Sequence, residues 1–342
     1  MSAQLDKNLS LTFDWLRFPL ALLVVYLHIA PSNVFIKASY GIDSPYFWAT
    51  NIVDNIANLA VPAFYIISGY LMAFNMTSFS VDVYLRKLKR RSWTLLVPYL
   101  IWNLLCVGYL FLTGQISECP EWDTIFLDPI NFPLWFIRNL IVLNLLYPIL
   151  WVIVRYMRWP FFIIVILAYL LIPTFQDTVY IHPYTLTSFV YFYIGVYGGI
   201  NMISLNTTTK AYTFGMFILA AISFTLVVLS PILEFKTSFA YHIYLLSGTI
   251  TLFLLAYKLI EVSNIRPIPL LAAASSFIYL SHKLGPTYIS KQIVGSLLPE
   301  GEVSEIIIFI VSPVIASLIC IGTYYLLSKT HPTIIKVLTG KR

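Results

Sequence analysis

The sequence predicts an all-α, multi-pass integral membrane helix bundle of about ten transmembrane helices, and three observations carry that prediction. The 342 residues are 59% hydrophobic and only 11% charged, where soluble domains carry about 25% charged residues. The mean hydropathy is +0.82. The apolar residues come in long runs, not in the short alternating segments of a transmembrane barrel.

Ten runs qualify as spans: 13–31, 52–74, 93–113, 133–154, 159–174, 185–200, 211–232, 240–258, 268–283 and 305–327. The sixth is short and the ninth weakly apolar. Pro31, Gly114, Pro133 and Pro173 stand at ends, where helix breakers belong. The chain reads as one membrane domain over 1–342, with a short cytoplasmic tail from about residue 328 that is too small to fold alone. No cleavable signal pattern is expected at the N-terminus. Cys106, Cys119 and Cys320 lack metal-ligand spacing, and no disulfide or metal is expected. The sequence holds no Walker-type, zinc or nucleophile-elbow motif.

Orientation follows from the basic residues. With the N-terminus in the cytoplasm, fifteen of the 21 lysines and arginines fall on inner segments and four on outer ones. Both termini are therefore expected inside. The net charge of +6 has its explanation in those loops, and nucleic acid is not an expected partner; membrane lipids are.

The first run, FDWLRFPLALLVVYLHIAP, carries Arg17 and His28. Eleven residues at about 100° each bring two side chains to one face of an uninterrupted helix. An ionisable side chain facing lipid costs about 2.5 kcal/mol or more, so that face should look into the bundle or a wet cavity. A snorkelling arginine and a packed histidine are the plainer reading. The second run carries Asn51, Asp54, Asn55 and Asn58 at helical spacing, which suits a wet cavity or interhelical hydrogen bonds equally. Ser68-Gly69 follows, small enough for close helix approach.

The inner loop Tyr84–Arg91, YLRKLKRR, is either a topology determinant on anionic lipid or a phosphate-binding rim built on Lys89, Arg90 and Arg91. Arg138 sits near the outer end of the fourth run and either snorkels or contacts a polar group in the cavity. His282 and Lys283 are expected at the outer mouth of the ninth, where His282 reads as interfacial more than catalytic. His242 and His182 have weaker claims, and His331 none. Asp54, Asn58, Ser68, Arg138 and His282 are thus the cavity candidates. Outer loops are expected over 114–132 and 285–304.

These motifs, in this order, resemble the acyltransferase-3 family of membrane-bound O-acyltransferases of bacterial surface glycans. The likeness is carried by the Arg-x10-His of LRFPLALLVVYLH, VPAFYIISGY, RKLKRRSWTLLVPYLIW, PLWFIRNLIVL and SSFIYLSH, and it runs from about residue 10 to 327. Tyr65 stands where the family has a second Phe. The chain looks like the stand-alone type, without an appended SGNH hydrolase-like domain.

The resemblance implies an enzyme that moves an acyl group, most simply acetyl, from cytosolic acyl-CoA to a hydroxyl of a cell-surface glycan or lipid-linked precursor. Acyl-CoA is then the co-substrate, and the site is the bacterial inner membrane. Arg17, with Lys89, Arg90 and Arg91, would meet the donor's phosphates. His28 would be the general base, or the covalent carrier of the acyl group. An exporter of a glycan or lipid-linked precursor is the competing expectation. Transporters of that kind show internal repeats with matching broken helices, and none is visible here.

Overall fold

Every regular element among the described residues is helical. The computed structural model describes residues 5–76, 78–118, 120–127, 129–171, 183–233 and 238–341. Cys119, Pro173 and His182 lie outside them. Among the described residues seven helices are long and apolar enough to cross a membrane: Lys7–Tyr26, Pro45–Ala73, Val81–Leu112, Tyr147–Leu171, Lys210–Leu233, Ser238–Ser263 and Glu302–Thr330. Three shorter apolar helices, Phe132–Leu145, Leu186–Ile200 and Pro269–Ser281, fall in the regions of further expected spans. The protein is an integral membrane helix bundle. At about 1.5 Å per residue, Phe132–Leu145 and Pro269–Ser281 reach only about 20 Å, less than the ~30 Å hydrocarbon layer.

The chain divides into two units, the first of residues Met1–Leu20, Asn51–Val83 and Leu146–Ile268, the second of Ala21–Thr50, Tyr84–Leu145 and Pro269–Arg342. In the first unit, helices Ala60–Ala73 and Pro183–Ile200 meet at glycines. A Cβ on Gly69 would collide with the Phe192 carbonyl, and one on Gly195 with the Ile66 carbonyl. This is the close approach that Ser68-Gly69 led us to expect. Phe13 adds edge-to-face contacts with Tyr70 at 5.5 Å and Phe253 at 6.0 Å. Asp6, just ahead of the first helix, accepts hydrogen bonds from the Tyr257 and Ser204 hydroxyls, both 2.9 Å.

In the second unit the C-terminal residues are not a loose tail. Helix Pro332–Thr339 docks beneath Trp102, whose Nε1 donates to the Leu338 carbonyl at 2.9 Å. Lys341 Nζ donates to Tyr324 Oη at 2.9 Å and lies 4.9 Å from the centre of that ring. Tyr26 Oη donates to the Ile310 carbonyl at 2.9 Å.

Three boundaries differ from expectation. Besides the expected division near 155–158, the fourth span breaks at Leu146, because Pro148 has no N–H for the Asn144 carbonyl. The Tyr84 hydroxyl instead lies 3.4 Å from that oxygen and 3.2 Å from the Leu145 carbonyl. Helix Tyr147–Leu171 then runs on through a break at Arg158, φ 48° and ψ −141°, two residues ahead of Pro160. The basic segment expected as a loop is the helix Val81–Arg91, with Lys89, Arg90 and Arg91 in its last turn, where cations suit the helix dipole. The outer segment 285–304 contains the helix Pro286–Gly295.

Candidate active site

The site grows from two helix ends in the second unit. The first helix stops at Tyr26. The chain then tightens into a turn in which the His28 amide donates to Val25, three residues back, at 3.0 Å. The eleven-residue count from Arg17 therefore does not run through unbroken helix to His28. Within this turn His28 Nδ1 lies 2.8 Å from the Val24 carbonyl. A carbonyl only accepts, so Nδ1 carries the proton and Nε2 keeps the lone pair.

Helix Pro269–Ser281 ends at His282 without that tightening. The His282 amide donates to Ile278 at 3.0 Å. Its Nδ1 lies 3.0 Å from the Ile278 carbonyl and 2.9 Å from that of Tyr279, which again leaves Nε2 as the acceptor. Gly285, at φ 138°, closes the turn in a conformation that a side chain would strain. The Thr287 amide, 3.0 Å from the His282 carbonyl, completes it.

The two imidazoles lie 5.1 Å apart, edge to face at 69°. His28 is partly exposed, whereas His282 is fully buried. His282, expected as interfacial at an outer mouth, is enclosed by the protein: its ring turns back along its own helix and packs against His28. Its Nε2 is buried and has no hydrogen-bond partner among the described residues.

A short strap, 131–134, holds the pair from one side. Phe132 packs 6.2 Å from His28. The Tyr279 hydroxyl donates a short hydrogen bond to the Pro133 carbonyl. Asn131 Nδ2 donates to Leu280 at 3.3 Å, and the Asn131 amide donates to Asn103 Oδ1 at 3.3 Å. Phe132, Asn131, Asn103 and Tyr279 were not singled out from the sequence. Asn131 and Phe132 immediately precede the PLWF stretch, and Tyr279 stands three residues before His282, one helical turn away.

The remaining candidates do other things. Arg138 donates from Nη1 to the Leu127 carbonyl at 2.5 Å and from Nε to Asn139 Oδ1 at 3.2 Å, so it braces the approach to its own helix. Lys89 and Arg90 are exposed and Arg91 half-buried. Arg17, Asp54, Asn58 and Ser68 belong to the first unit. Arg17 pairs with Asp14 at 3.2 Å, each side chain about two-fifths exposed at 42% and 40%. An i,i+3 pair of this kind is worth about 0.2–0.5 kcal/mol and yields easily to a phosphate. Half of the asparagine stripe is taken up by packing: Asn51 Nδ2 donates to Val228 at 2.9 Å, and the Tyr244 hydroxyl to the Asn55 carbonyl at 2.9 Å. Such interhelical bonds average about 0.6 kcal/mol each. Asp54 and Asn58 are half-buried, and Ser68 is buried.

Among the described residues no group of three or more His, Cys, Asp or Glu is placed to hold a metal ion. What the paired rings offer is proton chemistry at an apolar, partly accessible site.

Comparison with known proteins gives two matches. The acyltransferase-3 sequence family, described as "Acyltransferase domain", matches residues 11–324. The "Succinoglycan biosynthesis protein ExoH" of Rhizobium meliloti (strain 1021) is 28% identical over 187 residues. That match covers 49% of this chain and 49% of the relative, so the chain aligns with about half the length of the curated protein it resembles. No solved structure matches.

Proposed function

The chain belongs to the acyltransferase-3 family, and from that premise we propose a membrane O-acyltransferase that loads a surface glycan or a lipid-linked precursor of one. The donor is a cytosolic acyl-CoA, most simply acetyl-CoA, and the membrane is the bacterial inner membrane with both termini inside. The name of the partial relative, a succinoglycan biosynthesis protein, supports a polysaccharide acceptor.

The observation that carries the reading is the tautomer of His28. With Nδ1–H given to Val24, Nε2 is a neutral base on a partly exposed ring. An alcohol is a poor nucleophile at its own pKa and needs such a base in the transition state. His28 Nε2 takes the hydroxyl proton as the oxygen attacks the thioester carbonyl. The new C–O bond forms, the C–S bond breaks, and the thiolate leaves with the proton returned by His28. For the phosphates of the donor the candidates are, in the second unit, the helix end at Lys89, Arg90 and Arg91 and, separately in the first unit, Arg17, Arg by bidentate bonds and Lys by charge.

Mass spectrometry of surface glycans from cells with and without the gene tests the reading. The expected result is an acyl mass increment lost on deletion and restored by the wild-type gene. Identical glycan masses in both strains, with no transfer from acyl-CoA in isolated membranes, would overturn it.

A further inference from the structure

We propose that the cavity at the start of helix Glu302–Thr330 is a saccharide subsite, in which Tyr40, Glu300, Ser304 and Glu305 grip a sugar residue of the glycan acceptor. The inference rests on the acyl-transfer reading and deepens it, by giving the acceptor a place to bind.

The cavity holds about 470 Å³ and is lined in part by Tyr40, Glu300, Ser304, Glu305 and Ile308, all of the second unit. That volume falls within the usual range of small-molecule sites, about 300–1,000 Å³. Three carboxylates stand in the segment 300–305, and they are used differently. Glu302 belongs to the frame: its Oε1 accepts a short hydrogen bond from the Ser44 hydroxyl and one of 3.1 Å from the Tyr46 amide. These bonds tie the segment that follows Tyr40 to the start of the long helix. Glu300 and Glu305 line the cavity and make no hydrogen bond or ion pair among the described residues. Ser304 is buried at 7% exposure and lines it too, yet its hydroxyl bonds to nothing among the described residues. A buried hydroxyl without a partner is costly unless a ligand supplies one. Tyr40 stays 44% exposed while Tyr46 holds its ring edge to face at 5.5 Å.

This set suits a sugar ring. A tyrosine gives the C–H face of a pyranose a rigid, amphipathic platform. Carboxylates accept from neighbouring sugar hydroxyls by charge-assisted bonds, and the Ser304 hydroxyl both donates and accepts. A neutral ligand also suits the charges. Lys291 lies close enough to Glu305 for the two to interact, which opposes capture of a divalent cation by the carboxylates. The place suits the reaction as well. Two residues beyond Ile308, about 3 Å along the helix, the Ile310 carbonyl accepts from the Tyr26 hydroxyl at 2.9 Å. Phe309, between them, packs edge to face on the Tyr26 ring at 5.8 Å. Tyr26 ends the helix whose following turn carries His28. A sugar gripped in the cavity is thus held on the helix that supports the His28 turn, and holding the acceptor there makes its approach to the base effectively intramolecular.

The test uses purified full-length protein in detergent. The probe is the oligosaccharide mixture released by mild acid from the surface glycan of cells lacking the gene. Calorimetric titration without acetyl-CoA reads binding, and transfer of labelled acetyl from acetyl-CoA to the same oligosaccharides reads KM. We expect Tyr40→Ala to weaken binding about tenfold and to raise KM for the oligosaccharides by about the same factor, with KM for acetyl-CoA unchanged. Tyr40→Phe keeps the platform and should stay within about threefold of wild type. Glu300→Gln and Glu305→Gln each lose a charged acceptor and should weaken binding about five- to tenfold. Wild-type affinity in Tyr40→Ala and in both Gln variants, or no binding by wild type, would overturn the inference. So would oligosaccharide binding that EDTA abolishes, with calcium chloride alone giving heat in wild type but not in Glu305→Gln, because the carboxylates would then hold a cation. If Tyr40→Ala does not elute as a single species, Glu300→Gln and Ser304→Ala decide between the same outcomes. The two readings separate cleanly. Binding with the expected pattern but no transfer by wild type removes acyl transfer and leaves the saccharide site; transfer with an unchanged oligosaccharide KM in every variant removes the subsite and leaves acyl transfer.

Discussion

His282 and His242 are buried to nearly the same degree, at 0% and 2% exposure, and each lies against an aromatic ring. They belong to different units and use their nitrogens in different ways. His282 bonds back to its own helix and presents Nε2 beside a second imidazole. His242 lies within helix Ser238–Ser263, its ring tilted by 32° against that of Tyr169 with the centres 4.2 Å apart. His242 also has a ring nitrogen, Nδ1, without a partner among the described residues. An unsatisfied nitrogen is therefore not what separates the two. The separation comes from the second ring, the partial exposure of that ring, and the strap that holds the pair.

The largest effect that could break this comparison is on His28. General-base assistance is worth about 10²–10⁴-fold, and we expect His28→Gln and His28→Ala to lose transfer by that order while expression and acetyl-CoA binding stay near wild type. Gln keeps size and some hydrogen bonding but cannot take the proton. Near-normal turnover in His28→Gln membranes would move the base elsewhere.

The next effect is on Arg17. Its exposed, weakly paired guanidinium contrasts with the braced Arg138 as sharply as the histidines contrast with each other. Loss of a phosphate contact predicts about ten- to a hundredfold weaker acetyl-CoA binding in Arg17→Ala, by the cost of a charged hydrogen bond. Arg17→Lys should recover part of it, because Lys lacks the planar fork. Calorimetric titration of the purified protein with acetyl-CoA reads this directly, and an unchanged affinity would remove Arg17 from the donor site.

Arg17 and His28 were legible as candidates because ionisable side chains in an otherwise apolar run are costly unless used. The pairing of His28 with His282 was not. The two residues are 254 positions apart, and a histidine followed by Lys283 at the end of an apolar run looks interfacial. Only the helix ends, which let each ring fold back on its own carbonyls, reveal otherwise. The strap was invisible for a similar reason: Asn131 and Asn103 act on backbone groups whose positions depend on the fold. The basic segment 84–91 was legible as charge but not as helix, since its periodicity is read only once Val81 and Val83 are included. The docked helix Pro332–Thr339 was missed because a segment too short to fold alone can still dock on a neighbouring surface, here through Trp102 and Tyr324.

The smallest expected effect on chemistry, and the one that sharpens the comparison most, is His242→Ala. If His242 only packs, its loss opens buried space against the Tyr169 ring. Tyr169 itself leans on Tyr191, their hydroxyls 3.4 Å apart, so the damage should stay in the first unit's packing. A large-to-small change in a packed interior costs about 2–5 kcal/mol, enough to lower the midpoint of thermal unfolding in detergent by several degrees. Transfer per mole of folded protein should remain within about twofold of wild type, since no step assigned to His28 passes through this helix. The mirror-image pattern belongs to His28→Gln: an unfolding midpoint near wild type with transfer lost. Should His242→Ala unfold like wild type but transfer no acyl group, the packed histidine would be chemical, and the criterion that separates it from the pair would fail.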